Sequence, residues 1–300
     1  MASTFKRSEL PYYAPANKLP APLPTVEEIL AATEFTPPNT VHERKIPVLK
    51  GCYAVKYGRD ITLQEGENML FIERYTNVPI PAVYAIFHDE KTGFNFIIQE
   101  YIRGRLLRSV WGKLASKEKQ AIVSQLRRDM DEVRNLPSPG YYGGIWRQQN
   151  RNPLFNQIVW REAVIQHPEP NLVKPMATEQ EWADTMASCV RASVKNLPDN
   201  WNERRLAILR QHYRRVFSGH PPVFSHGDFS PSNIILREDG KGAVIIDWQY
   251  AGWYPSCWEF GISMVLHGYG DDWLEWLPRI LDEFIPESGW IMSYRDLVFG

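Results

Sequence analysis

Cysteine is scarce in this chain: Cys52, Cys189 and Cys257 stand far apart in 300 residues. With no metal-type spacing among them, they exclude a disulfide framework and a cysteine-based zinc site, and they fit a reducing compartment. Charge of one sign is lacking too, because 34 Lys and Arg against 35 Asp and Glu leave a net charge of -1. That removes the electrostatic basis for binding nucleic acid or an anionic membrane. No apolar run approaches the length needed to span a bilayer. The first residues, Met1 to Arg7, lead into a proline-rich stretch and not into an apolar signal core, so a cytoplasmic protein is expected. Glycine is nearly missing from one segment, where Gly51 is the only one between residues 38 and 57.

What is present suits one large domain or two lobes. Pro11, Pro15, Pro20, Pro22 and Pro24 make residues 1–24 an extended arm on the surface or a flexible tail. Thr25 with Glu28 forms a capping box that opens a helix over about residues 26–33. Lys45 to Leu49 and Cys52 to Tyr57 read as strands joined at Lys50-Gly51, and Thr62 to Tyr75 as a helix. Ala82 to Phe87 and Phe94 to Gln99 form another strand pair around a turn, completing a small α+β lobe over residues 25–102. Residues 103–300 are mainly helical. Ile122, Leu126, Met130 and Val133 mark an amphipathic helix at 117–136. An irregular insert rich in Gly, Pro and aromatics follows at 137–175, and helices are expected from Thr178 to about Lys195 and near 201–217, 256–267 and 271–285.

The most informative stretch is His226-Gly227-Asp228-Phe229-Ser230-Pro231-Ser232-Asn233, followed by Ala243-Val244-Ile245-Ile246-Asp247-Trp248. Ile234 to Leu236 and Ala243 to Ile246 are apolar runs around the turn-rich segment Arg237 to Gly242, which predicts an antiparallel hairpin. Asn233 precedes the first strand and Asp247 follows the second, so pairing brings them to the open end, roughly 5 Å apart between Cα atoms. Two hard oxygen ligands there suit Mg²⁺, which usually takes one or two protein groups plus substrate phosphates. Asp228 lies in the same loop, placed to receive a proton from a hydroxyl. Asp and Asn beside hairpins commonly make only turn hydrogen bonds, so the weight rests on the joint pattern. The spacing His-x-Asp-x-x-x-x-Asn, then a strand ending in Asp, resembles a kinase catalytic loop and its metal-binding aspartate.

Such chemistry calls for a strand lysine facing the phosphates and a helix glutamate holding it. Ala54-Val55-Lys56-Tyr57 offers the lysine. Glu65 shares the helical face of Met69 and Ile72, so burial there requires a cation, and Lys56 is the natural one. Glu67 competes for that role from a face expected to be more exposed. Ile97 to Gly104 has the form of a strand leaving the small lobe, either as a plain linker or with the main chain of Glu100 and Ile102 meeting an adenine edge.

Over about residues 40–285 the chain resembles the aminoglycoside phosphotransferase and choline kinase family of small-molecule kinases, of a type common in fungi. The resemblance rests on Tyr53 to Gly58, Pro79-Ile80-Pro81, Gln99 to Gly104, Ser225 to Leu236, Ile245 to Trp248, and Ala251 to Pro255. Gly227, where protein kinases carry arginine, and Trp248 favour this family over protein kinases. It implies a protein-kinase-like two-lobed α+β fold, with a small sheet-plus-helix N-lobe and a mainly helical C-lobe. It also implies an ATP- and Mg²⁺-dependent transfer to a hydroxyl of an aminoglycoside-, choline- or amino-alcohol-like molecule. Asp228 would be the catalytic base, Asn233 and Asp247 the metal ligands, and Lys56 the phosphate ligand paired with Glu65. Glu259 would line the acceptor site, and His226 would be structural. The sequence departs from the pattern in having no glycine-rich phosphate loop before Lys56, which leaves open a kinase-like nucleotide- or metabolite-binding protein of little or no activity. Asp271, Asp272, Glu275, Asp282, Glu283 and Glu287 either attract a cationic alcohol or form a solvated face.

Overall fold

The computed structural model describes residues 5–36, 46–155, 174–193, 199–267 and 270–299. The strands are β1 (Tyr12–Tyr13), β2 (Val48–Leu49), β3 (Tyr53–Gly58), β4 (Val83–Asp89), β5 (Phe94–Glu100), β6 (Gly104–Leu106), β7 (Pro222–Ser225), β8 (Ile234–Arg237), β9 (Ala243–Ile245) and β10 (Gly252–Pro255). The helices are α1 (Val26–Leu30), α2 (Leu63–Tyr75), α3 (Leu107–Val110), α4 (Ser116–Arg134), α5 (Glu179–Ser193), α6 (Asp199–Val216), α7 (Trp258–Leu266), α8 (Trp273–Trp276) and α9 (Ile285–Phe299). They fall into two compact units, one of residues 5–125 with 231–249 and one of residues 126–230 with 250–300.

The first unit is built on an antiparallel sheet in the order β1-β4-β5-β3-β2. Strand alternation gives it two different faces. Tyr53, Val55, Phe96 and Ile98 lie on one, and their neighbours Lys56 and Ile97 lie on the other. The proline-rich segment packs on the first face, where Ala14 and Ile29 join the core and Leu19, Ala21 and Leu23 lie against it. Residues 5–24 are therefore the extended arm of the two alternatives, laid on the sheet, and not a flexible tail. It pairs with β4 through Tyr12 and Tyr13 and crosses the face. It then covers the opposite edge, where Phe35 bridges Pro47 and the N–H of Val48 donates to the Glu34 carbonyl at 2.9 Å. Prolines suit this path because most of its backbone makes no ladder, while the leucines between them supply apolar burial. The β2 edge is thereby covered, and the other edge is left to β1, a strand of only two residues.

The other face carries α2. Thr62 caps it by accepting from the Gln64 N–H at 3.1 Å. Every residue from Gln64 to Ile72 is buried, so α2 is enclosed on several sides and does not show the single apolar stripe of a surface helix. Gly66 allows the close approach: a Cβ there would lie 2.6 Å from Cδ1 of Ile86 on β4. The unit also holds the three-stranded sheet β6-β8-β9. The Gln125 side chain pins that sheet by bonding both the N–H and the carbonyl of Ala243, each at 2.9 Å.

The second unit is mainly helical around an aromatic core. Trp182 of α5 meets Trp258 of α7 edge-on at 5.0 Å and Phe155 at 4.6 Å, and Tyr294 of α9 joins the same cluster. β7 and β10 pair antiparallel from Gly252↔Ser225 to Pro255↔Pro222. The expected helix at 271–285 is not formed. Pro278 cannot supply an interior N–H, and the chain instead makes the short α8, a 3-10 turn at Leu277–Arg279 and then α9. α9 begins with Pro286 and Glu287 in its first turn, the start signal that the sequence reading passed over. Expectations for residues 156–173 and the end of a helix at Lys195 lie outside the described residues. Among the described residues no helix is long and apolar enough to cross a membrane.

Candidate active site

Lys56 leaves the middle of β3 on the α2 face. Its Nζ is 2.5 Å from Glu65 Oε1 and 2.6 Å from Asp247 Oδ1. Only 10% of the Lys56 side chain is exposed, against 2% for Glu65 and 22% for Asp247. Burial alone would drive the lysine toward neutrality, yet the Asp247 and Glu65 carboxylates outweigh it and raise its pKa. The trio is a charge cluster of one cation and two anions, with Asp247 its most accessible member. Glu67 does not compete for Lys56. It is buried, against the expectation of an exposed face, and its partner is Arg7, with Nε at 2.7 Å from Oε1.

The hairpin forms as β8 and β9, with Ile234 opposite Ile245. Its open end lies one residue earlier than expected: the Asn233 carbonyl accepts from the Ile246 N–H at 2.9 Å, and Asp247 is the next residue. There the backbone turns left-handed, with φ 66 at Asp247, an unfavourable conformation for a residue with a Cβ that typically persists where function uses it. Trp248 secures the turn, its Nε1–H donating to the Ile245 carbonyl at 3.0 Å while its own carbonyl accepts from Asn68 Nδ2 at 2.8 Å. The donor chemistry here is one carboxylate and one amide side chain on neighbouring backbone positions. That set fits Mg²⁺, a hard cation that takes oxygen ligands.

Asp228 belongs to the second unit, in the loop after β7. Glu259, on the first turn of α7, is wholly buried beneath that loop. Its carboxylate accepts from the His226 N–H at 2.5 Å and the Gly227 N–H at 3.1 Å. Burial raises the pKa of Glu259, and the Gly227 N–H, the nearby Arg134 guanidinium and the His226 N–H pull it part of the way back. Gly227 has φ 80, and a Cβ would lie 2.5 Å from the Tyr250 carbonyl, so only glycine fits. The Asp228 N–H donates to Nδ1 of buried His226 at 3.2 Å, and Asn152 Nδ2 donates to the Gly227 carbonyl at 3.0 Å. The loop is thus held by its backbone from three sides, and Asp228 is half-buried.

Glu100 ends β5 with its N–H donating to the Ala82 carbonyl at 2.8 Å and its carboxylate 3.0 Å from Arg237 of β8. Ile102 is buried just beyond it. Before Lys56, β2 and β3 are joined by the three residues Lys50, Gly51 and Cys52, a tight turn with φ 53 at Lys50 and 63 at Gly51, in place of a phosphate loop. The proline-rich segment covers the sheet face opposite Lys56, so it does not stand in for that loop.

Two site residues escaped the sequence reading. Asn68 lies three residues from Glu65, which places it on an adjoining helical face and offered a usable signal. Asn152 sits in an irregular stretch with no periodicity and carried none.

The units are those of a protein-kinase-like fold. Residues 62–291 match the model of the phosphotransferase enzyme family, and the chain belongs to that family. No curated protein sequence matches the chain. Among solved structures it is similar to the GDP complex of wild-type aminoglycoside 2'-phosphotransferase-IIIa, at 15% identity and a TM-score of 0.54, over 85% of this chain and 80% of that one. It is likewise similar to choline kinase LicA from Streptococcus pneumoniae, at 14% identity and a TM-score of 0.51, over 91% and 86% of the two chains. Aminoglycoside phosphotransferase APH(4)-Ia is similar at 15% identity and a TM-score of 0.51, over 91% and 86%.

Proposed function

We propose that the chain is an ATP- and Mg²⁺-dependent kinase that transfers the γ-phosphoryl group to a hydroxyl of a small molecule. The observation that carries this reading is the buried Lys56 held between Glu65 and Asp247. Phosphoryl transfer needs positioned charge more than covalent chemistry, and a fixed cation beside a carboxylate meets that need. Glu65 holds Lys56 toward the nucleotide phosphates. Asp247, the more exposed partner, turns with Asn233 to hold the metal. Mg²⁺, when bound, supplies charge neutralisation at the phosphates. The Glu100 carbonyl and the Ile102 N–H meet the adenine edge. Asp228 accepts the proton of the acceptor hydroxyl. Glu259 acts through the loop it holds, as a positioning residue, since its oxygens are already occupied by backbone N–H groups.

The acceptor classes in view are aminoglycoside-, choline- and amino-alcohol-like. Several acids considered for attracting a cation are engaged within their own unit: Asp271 with His267, Asp282 with Arg127 and Glu287 with His220. The test is ADP release with Mg²⁺ and ATP across aminoglycosides, choline-like amines, sugars and amino alcohols, with GTP as a second donor because one similar structure is a GDP complex. Calorimetry with and without Mg²⁺ should find that Asp247→Ala loses the metal-dependent part of nucleotide binding. Unchanged metal dependence would defeat the assignment of Asp247. The short turn of Lys50, Gly51 and Cys52 favours a second reading, a nucleotide-binding protein with little turnover. Thermal stabilisation by Mg²⁺ and ATP with no ADP release on any acceptor would select it.

A further inference from the structure

We propose that residues Phe5–Ser8 are a latch on α2 that sets the Lys56–Glu65 pair, with Arg7 and Glu67 as positioning residues. The proposal rests on the reading of Lys56 as the phosphate ligand. Arg7 meets Glu67 with two bonds, Nε to Oε1 at 2.7 Å and Nη2 to Oε2 at 3.2 Å. The Lys6 N–H donates to the Tyr75 hydroxyl at 2.7 Å. Arg74 returns bonds to the Lys6 carbonyl at 3.0 Å and to the Ser8 hydroxyl at 3.2 Å. Phe5 packs edge-on against Phe71 at 4.8 Å and Tyr75 at 4.7 Å. The segment therefore grips the half of the helix that follows Glu65.

The helix geometry says what this grip controls. Residues two apart on an α-helix point about 200° from each other, so Glu65 and Glu67 leave α2 on nearly opposite sides. Lys56 pulls on one and Arg7 on the other, which opposes rotation of α2 about its axis. Asn68, bonded to the Trp248 carbonyl, adds a restraint in a third direction. Loss of the Arg7 bonds would take the two-bonded cation away from Glu67, whose side chain is 4% exposed, and weaken the hold on that side of α2. Rolling α2 outward hydrates Glu67 and draws Glu65 away from Lys56. The Arg7 side chain is 54% exposed, so the clasp is half in water and weaker than the buried pair it steadies.

The test reads Lys56 directly and needs no nucleotide. A water-soluble amine-acylating ester is applied to the full chain, and the rate of Lys56 modification is followed by mass spectrometry. Arg7→Ala should raise that rate about tenfold, because a loosened α2 opens more often and exposes the Lys56 Nζ to the reagent. Arg7→Lys, which keeps the charge, should recover most of the protection. Phe5→Ala gives an independent loosening of the same latch, and faster hydrogen exchange along α2 should accompany both. Glu65→Gln is the positive control. Wild-type labelling in Arg7→Ala, with Glu65→Gln accelerated, would overturn the latch. If labelling responds to Arg7 while ATP and Mg²⁺ fail to stabilise the wild-type protein, the latch stands and the kinase reading falls.

Discussion

Lys56 and Glu259 are both buried charges, one in each unit, and they are satisfied in opposite ways. Lys56 is balanced by carboxylate side chains, those of Glu65 and Asp247, one of which is partly exposed. Glu259 is balanced largely by the backbone N–H groups of residues 226 and 227. The first cluster joins side chains from three separate elements, and the second ties one side chain to the backbone of one loop.

Four measurements would break or sharpen that contrast. The largest effect is expected at Asp228, where Asp228→Asn should lower turnover by roughly 10²–10⁴-fold, the range for a positioned general base, with little change in unfolding midpoint. Near-normal turnover on an identified acceptor would remove Asp228 from the chemistry. Glu259→Ala should behave differently, lowering stability in urea by about 3 kcal/mol because buried N–H groups lose their acceptor. Equal stability would mean that the loop does not depend on Glu259. Gly227→Ala should cost about 1–3 kcal/mol from a strained positive φ, beyond the collision with the Tyr250 carbonyl. The smallest effect is in pH dependence. The folded-state pKa of Glu259 is raised above 4.5, so its contribution is present below that pH and is lost as pH rises through the folded value. Lys56 is also raised, above 10.5, so its contribution persists through neutrality and is lost only on further rise in alkaline solution. Urea midpoints against pH should lose the acid-side slope in Glu259→Gln and the alkaline-side slope in Lys56→Met. The same slope lost in both variants would erase the contrast.

Local elements were legible where one short stretch carries its own signal. The Thr25–Glu28 box, the helix up to Tyr75, the Arg237 to Gly242 hairpin turn and the helix marked by Ile122, Leu126, Met130 and Val133 all appear in the structure. The Lys56–Glu65 contact was legible because a carboxylate on an apolar helical face needs a cation. Long-range burial was not. The proline-rich segment read as either a surface arm or a tail because proline excludes regular ladders, and the packing of its leucines on the aromatic face of the sheet chose between them. Glu67 looked exposed because helical periodicity assumes one buried face, whereas α2 is enclosed on several. Asn152 gave no sign at all, since its bond to the Gly227 carbonyl joins positions far apart in sequence.

By itself, the sequence determined the class of chemistry: the spacing of Asp228, Asn233 and Asp247 around a hairpin, and a strand lysine. These are local facts, set by turn residues and strand alternation over short distances along the chain. Beyond the Lys56–Glu65 pair, only the tertiary structure decided which charges meet: Asp247 also reaches Lys56, and Arg7 takes Glu67. It also set Glu259 against the backbone of residues 226 and 227. The physical reason is that burying a charge is unfavourable until a partner is supplied, and the partner is chosen by how the whole chain packs.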